Sequence, residues 1–291
     1  MKIKQVPEDF KVIEKFDIKF SSGDYSYYLL HKRDLSTLEA CKIISLIWKK
    51  DVSYAGNKDK KAVTEQYISV KNGPEKDLNE KKFSLKFVGK GSVPISLGDH
   101  SGNYFEIVVR DIDKLPKIKK EFVNYFGEQR FSKNNAEIGK LLVKKEFGRA
   151  AELLKENGTL KEIDNPVQQL NKLERKLLML FVNSYQSELW NKMAKTSKEK
   201  EIPLIGFGTE ETSEINHILK EEGITTRDFV IKQLRGVSSE GGFRERVATA
   251  DELEVGKLED DELNKGKKKV LLKFFLNKGC YATEFLRQNF I

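Results

Sequence analysis

Hydrophobic and polar residues alternate along several short stretches in the first 112 residues. The clearest alternation lies at 63–71, 83–89 and 104–112, and a period of two is typical of strands with one buried face. The stretches 9–20 and 25–32 carry the aromatic and branched residues that strands favour. The first part of the chain is therefore predicted to form a sheet.

One helix is predicted within this region, and it begins at a capping box. Ser36 and Glu39 stand three residues apart before an apolar run, a spacing at which each side chain can bond the backbone N–H of the other residue. The apolar positions that follow at helical spacing are Leu38, Cys41, Ile44 and Trp48.

The pattern changes to a helical period from about residue 117. The stretches 117–127, 135–157 and 166–195 are rich in Leu, Lys and Glu, and Pro166 is well placed for a first helical turn. We expect helices here, followed by a mostly helical block that contains a loop at 202–209 and a glycine-rich turn after it.

Strand character returns near the end of the chain, at 267–279, and 281–291 reads as a short closing helix. Sheet-forming sequence thus occurs at both ends. We predict an α+β protein with a central, mostly antiparallel sheet domain, residues 1–150 and 256–291, interrupted by a mostly helical insertion, residues 151–255.

The charge of the chain favours a polyanionic partner. Lys and Arg number 53 against 45 Asp and Glu, a formal net charge of +8, and cationic surfaces gain affinity by displacing counterions from phosphates. Because the chain also contains many acidic residues, a cationic binding face can form only if the basic residues cluster on one part of the surface.

The remaining composition disfavours several classes of protein. The longest nearly unbroken apolar run, 270–276, is too short to span a bilayer, and the start lacks the apolar core of a signal peptide, so we expect a soluble cytoplasmic protein. The two cysteines are too far apart to indicate a disulfide framework. His31, His100 and His217 show no metal-ligand spacing, and we expect no metal.

Several stretches together resemble one protein family. “AGNKDKKAVTEQ” (55–66) is similar to the signature of the tRNA pseudouridine synthase D (TruD) family, Ala-Gly-x-Lys-Asp followed by Ala-x-Thr-x-Gln. “LGDHSGNYFEI” (97–107) and “NYFGEQRF” (124–131) resemble two further blocks of that family. Weaker landmarks follow in the same order at 184–191, 203–209 and 241–247, and 276–287 resembles the closing Gly-x-aromatic-Ala-Thr segment of the family.

The resemblance implies isomerisation of uridine to pseudouridine in tRNA, at position 13 of the D arm, without a cofactor. It makes Asp59 the catalytic carboxylate, acting either by attack on the ribose carbon C1′ or by abstraction of a ribose proton. A carboxylate beside a flipped-out nucleoside stays ionised more readily with a cation next to it. Lys58 is the nearest candidate in sequence, and Arg130 is another.

The resemblance also implies a pocket for the uridine. Base flipping costs a few kcal/mol, and aromatic stacking offsets part of that cost. Asn124 and Tyr281 are implied to hold the base, and Phe126 to shape the pocket. The remaining candidates are Phe20 as a further aromatic, Arg130 in the pocket, and Gln66 and Glu14 as supports of the signature loop.

Other readings of the residues remain open. Taken alone, the turn at Gly56 is a solvated loop tip, and Phe126 and Tyr281 are core residues. A second hypothesis is a non-catalytic tRNA-binding protein or RNA chaperone, and a third is a protein-interaction module without salt-dependent affinity for tRNA. Our main expectation is a monomer that acts on tRNA, with other RNAs as a further substrate class, and that needs no membrane and no protein partner. We expect Asp59 at the floor of a basic cleft between the domains.

Overall fold

The computed structural model describes the backbone of residues 1–291 and every side chain except that of Lys133. The helices are α1 (Thr37–Trp48), α2 (Asn135–Val143), α3 (Phe147–Glu156), α4 (Pro166–Lys172), α5 (Arg175–Thr196), α6 (Ser213–Glu222) and α7 (Ala282–Phe290). The strands are β1 (Phe10–Lys15), β2 (Tyr25–Arg33), β3 (Val52–Tyr54), β4 (Val63–Lys71), β5 (Leu78–Asn79), β6 (Phe83–Gly91), β7 (Gly102–Ile112), β8 (Glu121–Val123), β9 (Glu201–Leu204), β10 (Gly242–Glu245), β11 (Val247–Thr249), β12 (Asp251–Val255), β13 (Glu259–Asp260) and β14 (Lys268–Asn277).

The chain divides into two compact units. Unit 1 comprises Met1–Glu121 and Thr249–Ile291, and unit 2 comprises Phe122–Ala248. The boundaries expected from sequence, 150 and 256, differ most at the first crossing. Helices α2 and α3 bury their apolar side chains in the same core as α5, and for this reason they belong to unit 2. The assignment of catalysis to the sheet domain stays a prediction.

Unit 1 is built on a ten-stranded sheet. Its order is β12-β14-β7-β1-β4-β2-β6-β5, with β13 added to β14 and β3 added to β4. All pairs are antiparallel except β1 with β4. The prediction of an α+β fold with a mostly antiparallel sheet is confirmed.

One edge of β4 is shared by two strands. Strand β1 pairs with residues 63–65 of β4, and β3 pairs with residues 68–70. The residues that connect β3 to β4 therefore lie beside the place where β1 joins the sheet. The alternation predicted for β4 is present, and it places a polar side chain, Gln66, in the fully buried row with Ile68 and Val70.

Helix α1 packs on this sheet and begins at the predicted capping box. Ser36 accepts from the backbone N–H of Glu39, and the Glu39 carboxylate accepts from the N–H of Ser36. Of the predicted apolar positions, Cys41 and Ile44 are buried and Trp48 packs against the same core, whereas Leu38 is 60% exposed. The buried residues of α1 are Thr37, Ala40, Cys41 and Ile44.

Unit 2 is centred on α5, which is buried on most of its circumference. Helix α2 crosses it very closely at Gly139, where a Cβ atom would lie 2.0 Å from the carbonyl oxygen of Phe181. Strands β9 and β10 form a separate antiparallel ribbon, with Gly242 opposite Leu204. In the part of the chain that the structure describes, no helix is both long and apolar enough to cross a bilayer.

Three sequence predictions are wrong in unit 2 or at its boundary. Residues 117–127 form no helix; they contain β8, because burial of Phe122 and Asn124 follows a period of two that the surrounding lysines obscure. The single helical pattern at 135–157 is broken at Lys145, whose φ is +62°. The loop at 202–209 and the glycine-rich turn contribute the ribbon strands β9 and β10.

Candidate active site

The signature residues 55–61, here called the motif loop, connect β3 to β4 in unit 1. Asp59 lies in this loop and forms an ion pair with the ammonium of Lys4. The Lys4 ammonium also lies 4.0 Å from the centre of the Phe10 ring. A cation and an aromatic ring from the start of the chain therefore stand beside the carboxylate.

Lys58, the neighbour of Asp59 in sequence, has a different partner. Its ammonium lies 2.5 Å from a carboxylate oxygen of Glu14, and the two side chains are 5% and 0% exposed. The other carboxylate oxygen of Glu14 accepts the backbone N–H of Tyr67, which falls between the β1 and β3 pairings of β4. The Lys58–Glu14 pair thus ties the motif loop to β1.

A chain of hydrogen bonds fixes the backbone of the motif loop. The N–H of Lys58 donates to Thr37 Oγ1 at 2.9 Å, and Thr37 Oγ1 donates to Gln66 Oε1 at 2.7 Å. Gln66 Nε2 then donates to the carbonyl of Gly56 at 3.0 Å. Helix α1 and strand β4 therefore hold the loop from both sides of Asp59.

A buried lysine lies beneath the same loop. The ammonium of Lys32 donates to the carbonyls of Leu35 at 2.7 Å and Asp59 at 3.1 Å. Burial lowers the pKa of Lys32 to about 8, although the charge of Asp59 acts in the opposite direction. Its place on the inner row of β2, after Tyr28 and Leu30, is a period-of-two signal that sequence analysis could have used.

The sequence landmark 97–107 contacts the motif loop in unit 1, and the landmark 276–287 contacts 97–107 in turn. The N–H of Gly98 donates to the carbonyl of Ala55 at 2.8 Å, and Lys278 Nζ donates to the carbonyl of Gly98 at 2.9 Å. A Cβ atom on Gly56 would lie 3.2 Å from Cε1 of His100. Burial lowers the pKa of His100, and the charge of Lys58 lowers it further.

Tyr281 lies three residues after Lys278 in sequence. It occupies the N-cap position of α7, where its carbonyl accepts from the N–H of Glu284 at 3.0 Å. The pairing of Gly102 with Asn277 at the ends of β7 and β14 brings the closing segment to this side of the sheet. The structure thus brings Tyr281 to the same end of unit 1 as the 97–101 loop.

The other implied aromatic of unit 1 lies elsewhere. Phe20 is 58% exposed, its ring centre is 6.4 Å from that of Tyr27, and it covers Gly89. Phe10 is the aromatic that contacts Lys4. Neither Lys4 nor Phe10 was singled out from the sequence, because residues 1–8 carry no periodic pattern and the Lys4–Asp59 contact spans 55 positions.

The remaining candidates lie in unit 2. Asn124 is buried, and its side-chain oxygen accepts from Arg244 at 2.8 Å while its amide nitrogen donates to the carbonyl of Glu245 at 3.3 Å. The Arg244 guanidinium lies 4.1 Å from the centre of the Phe126 ring. The 124–131 block and the 241–247 segment are therefore joined through Arg244, a residue that the sequence did not single out.

Arg130, the other predicted cation, also lies in unit 2. Its guanidinium is 5.7 Å from the centre of the Phe126 ring, and its Nε donates to Ser187 Oγ at 3.3 Å. Within unit 1, the cation that pairs with Asp59 is Lys4.

Comparison with known proteins identifies the class of the protein as a tRNA pseudouridine synthase, an isomerase. The family described as tRNA pseudouridine synthase D (TruD) matches residues 1–165 and 200–289. The chain belongs to this family, and the resemblance inferred from the sequence landmarks is confirmed.

Relatives match along the whole length of the chain. A protein of Nanoarchaeum equitans named “Probable tRNA pseudouridine synthase D” is 32% identical, covering 100% of this chain and 99% of the relative. The “tRNA pseudouridine synthase D” of Aquifex aeolicus is 31% identical over 100% of this chain and 98% of its own. A crystal structure from Methanosarcina mazei, assigned to tRNA pseudouridine synthase D (TruD), has a TM-score of 0.74 at 25% identity and covers 99% of this chain and 93% of its own.

Proposed function

We propose that this protein isomerises uridine to pseudouridine at position 13 of the tRNA D arm, with Asp59 as the catalytic carboxylate. The observation that carries the proposal is the Asp59–Lys4 ion pair on a loop whose backbone is fixed by α1 and β4. Such a loop can present one carboxylate in a defined position, which catalysis by positioned groups requires.

The reaction is internally balanced and needs no added reagent. The bond between N1 of uracil and C1′ of ribose breaks, and a bond between C5 and C1′ forms. C5 loses a proton and N1 gains one. Asp59 can serve this exchange by attacking C1′ or by taking a ribose proton, and either route requires the ionised carboxylate.

The surroundings of Asp59 supply the charge balance for that role. Lys4 provides the paired cation, and Lys32 adds a buried ammonium at the backbone carbonyl of the same residue. Lys58 is held by Glu14 and so supports the loop. A nearby cation favours the ionised carboxylate when a substrate excludes water.

Recognition of the flipped uridine is assigned to the aromatic and amide residues that the family resemblance implies. Tyr281 and Phe126 offer rings for stacking, and Phe10 takes the part expected of Phe20, since Phe10 is the ring beside Lys4. Asn124 keeps hydrogen-bonding capacity beyond its bonds to Arg244 and Glu245, because an amide oxygen accepts two bonds and an amide nitrogen donates two.

Since all these groups come from one chain, we further propose that a monomer carries out the reaction on tRNA in the cytoplasm. The formal net charge of +8 supports attraction to the RNA backbone, where phosphate contacts position the substrate and the pocket selects the base.

The test is conversion of uridine in an unmodified tRNA transcript, mapped at base resolution, with affinity for the transcript measured in parallel. We expect wild type to convert the D-arm uridine and Asp59→Ala to bind the transcript without converting it. Asp51→Ala is the matched control, because Asp51 is an exposed aspartate ahead of the motif loop.

Each alternative has its own result. Conversion by Asp59→Ala at the wild-type rate would remove Asp59 from the mechanism. Conversion at another uridine would overturn the D-arm assignment alone, and tight binding without turnover by wild type would favour the RNA chaperone.

A further inference from the structure

Phe243 is an exposed aromatic residue on the ribbon of unit 2. It lies in β10 opposite Pro203 of β9, and its side chain is 71% exposed. Phe229, in the same unit, is fully buried. Because Phe243 is exposed, unlike Phe229, the core of unit 2 does not require its ring. A rigid exposed ring is suited to binding a flat partner.

Phe243 lines a cavity of about 470 Å³. Two guanidinium groups line it, those of Arg130 and Arg244, and a single carboxylate, that of Glu240. The described hydrogen bonds of the Arg130 side chain involve Nε only, which leaves its terminal nitrogens for a ligand. The volume lies within the range that holds a small organic group such as one nucleotide.

Phe243 also lines a second cavity, of opposite charge. It has a volume of about 620 Å³. Its lining includes the carboxylates of Glu199, Glu201, Glu210 and Glu214, in addition to Glu240. A polyanion beside Phe243 is therefore repelled by the carboxylates of this cavity and attracted by the guanidinium groups of the first one.

We propose that Phe243 is a stacking platform for an unpaired base of the RNA substrate, with Arg130 contacting an adjoining phosphate. The inference rests on the proposed function, because it takes RNA as the partner. An aromatic side chain that is open to solvent and shares a cavity with two guanidinium groups matches the combination by which proteins hold single-stranded nucleic acid without reading its sequence. Phe243 thus extends recognition beyond the uridine that reacts.

The experiment measures binding without turnover. RNA that carries 2-aminopurine at single unpaired positions flanking the target uridine is titrated into Asp59→Ala protein, alone or combined with Phe243→Ala, Phe243→Trp or Leu46→Ala. Leu46 is the matched control, because it is an equally exposed apolar residue, on α1 of unit 1. Thermal melting verifies that each variant is folded.

We expect Phe243→Ala to raise Kd by about 5- to 100-fold and to remove the fluorescence quenching at one position. Phe243→Trp should keep both, and Leu46→Ala should change neither. Arg130→Gln should reduce the salt dependence of binding by about one phosphate contact.

Unchanged Kd and quenching in Phe243→Ala would overturn the inference, whether or not wild type converts uridine. If wild type binds RNA through Phe243 but converts no uridine, the proposed function fails while the stacking site stands. The two failures are therefore distinguishable.

Discussion

Asp59 and Lys58 are neighbours in sequence, but their side chains have different partners. Asp59 pairs with Lys4, and Lys58 pairs with Glu14 in a buried contact. Removing one partner of a buried pair leaves an uncompensated charge, so Lys58 has a structural task already. The sequence offers Asp59 as a candidate, which stays a prediction, and it could not assign the cation, because adjacent side chains on a loop point in different directions.

If Lys4 is the cation that pairs with Asp59, its removal should lower the rate of uridine conversion. Lys4→Met removes the cation beside Asp59, and we expect kcat to fall by about 10- to 100-fold, the scale of one hydrogen bond to a charged group. Lys4→Arg should keep part of the rate. Steady-state kinetics on the tRNA transcript check this, with Lys2→Met as the control, because Lys2 is a more exposed lysine nearby. Wild-type kcat in Lys4→Met would contradict the assignment.

Lys32 predicts an alkaline limit to activity. Its ammonium bonds to the carbonyls of Leu35 and Asp59 weaken when the proton is lost, and burial lowers the pKa of Lys32 to about 8. We expect kcat to fall as the pH rises through about 8. Lys32→Met should be slow at every pH and should show no such decline in kcat. Lys61→Met, at an exposed lysine of the motif loop, should show the same decline as wild type.

The same titration does not predict unfolding. A lysine whose folded-state pKa lies below its ordinary value of 10.5 binds more protons when unfolded between about pH 8 and 10.5, so deprotonation there favours the folded state. The melting temperature, measured across the same range, separates a loss of positioning from a loss of fold. A pH profile identical in wild type and Lys32→Met would contradict the role of Lys32.

Among the helices and strands, those that the sequence predicts correctly are the ones with strong local sequence signals. Strand β4 alternates, and α1 opens with a capping box. Residues 117–127 were misassigned because Lys and Glu, which favour helices, surround a short alternating segment at Phe122 and Asn124. The ribbon strands β9 and β10 were missed because each is only four residues long.

The close crossing of α2 and α5 at Gly139 can be tested with two glycine substitutions, one at the crossing and one away from it. Gly139→Ala should destabilise unit 2 by about 1–3 kcal/mol, because the new methyl group meets the carbonyl of Phe181 at 2.0 Å. Gly148→Ala in α3 should be neutral or stabilising by up to about 1 kcal/mol, since no atom lies within 4 Å of its Cβ position. Urea unfolding followed by fluorescence of Trp190 checks both, and equal effects would contradict the packing.

In the whole molecule, the order of residues along the chain does not show which of them belong to the same compact unit. Unit 1 contains both termini, and so Lys4, Asp59 and Tyr281 belong to one compact body despite their separation. Asn124 and Phe126 belong to the other. The landmarks identified the family because their order is linear, but the division into units follows from long-range packing, which no local pattern shows.

We propose above all that Asp59 acts in uridine isomerisation on tRNA. The most direct test is base-resolution mapping of pseudouridine in tRNA from cells that lack this protein, complemented with wild type or with Asp59→Asn. We predict that one D-arm pseudouridine disappears from the cells, returns with wild type, and stays absent with Asp59→Asn expressed at the same level. Restoration by Asp59→Asn, or an unchanged map in cells without the protein, would contradict the account.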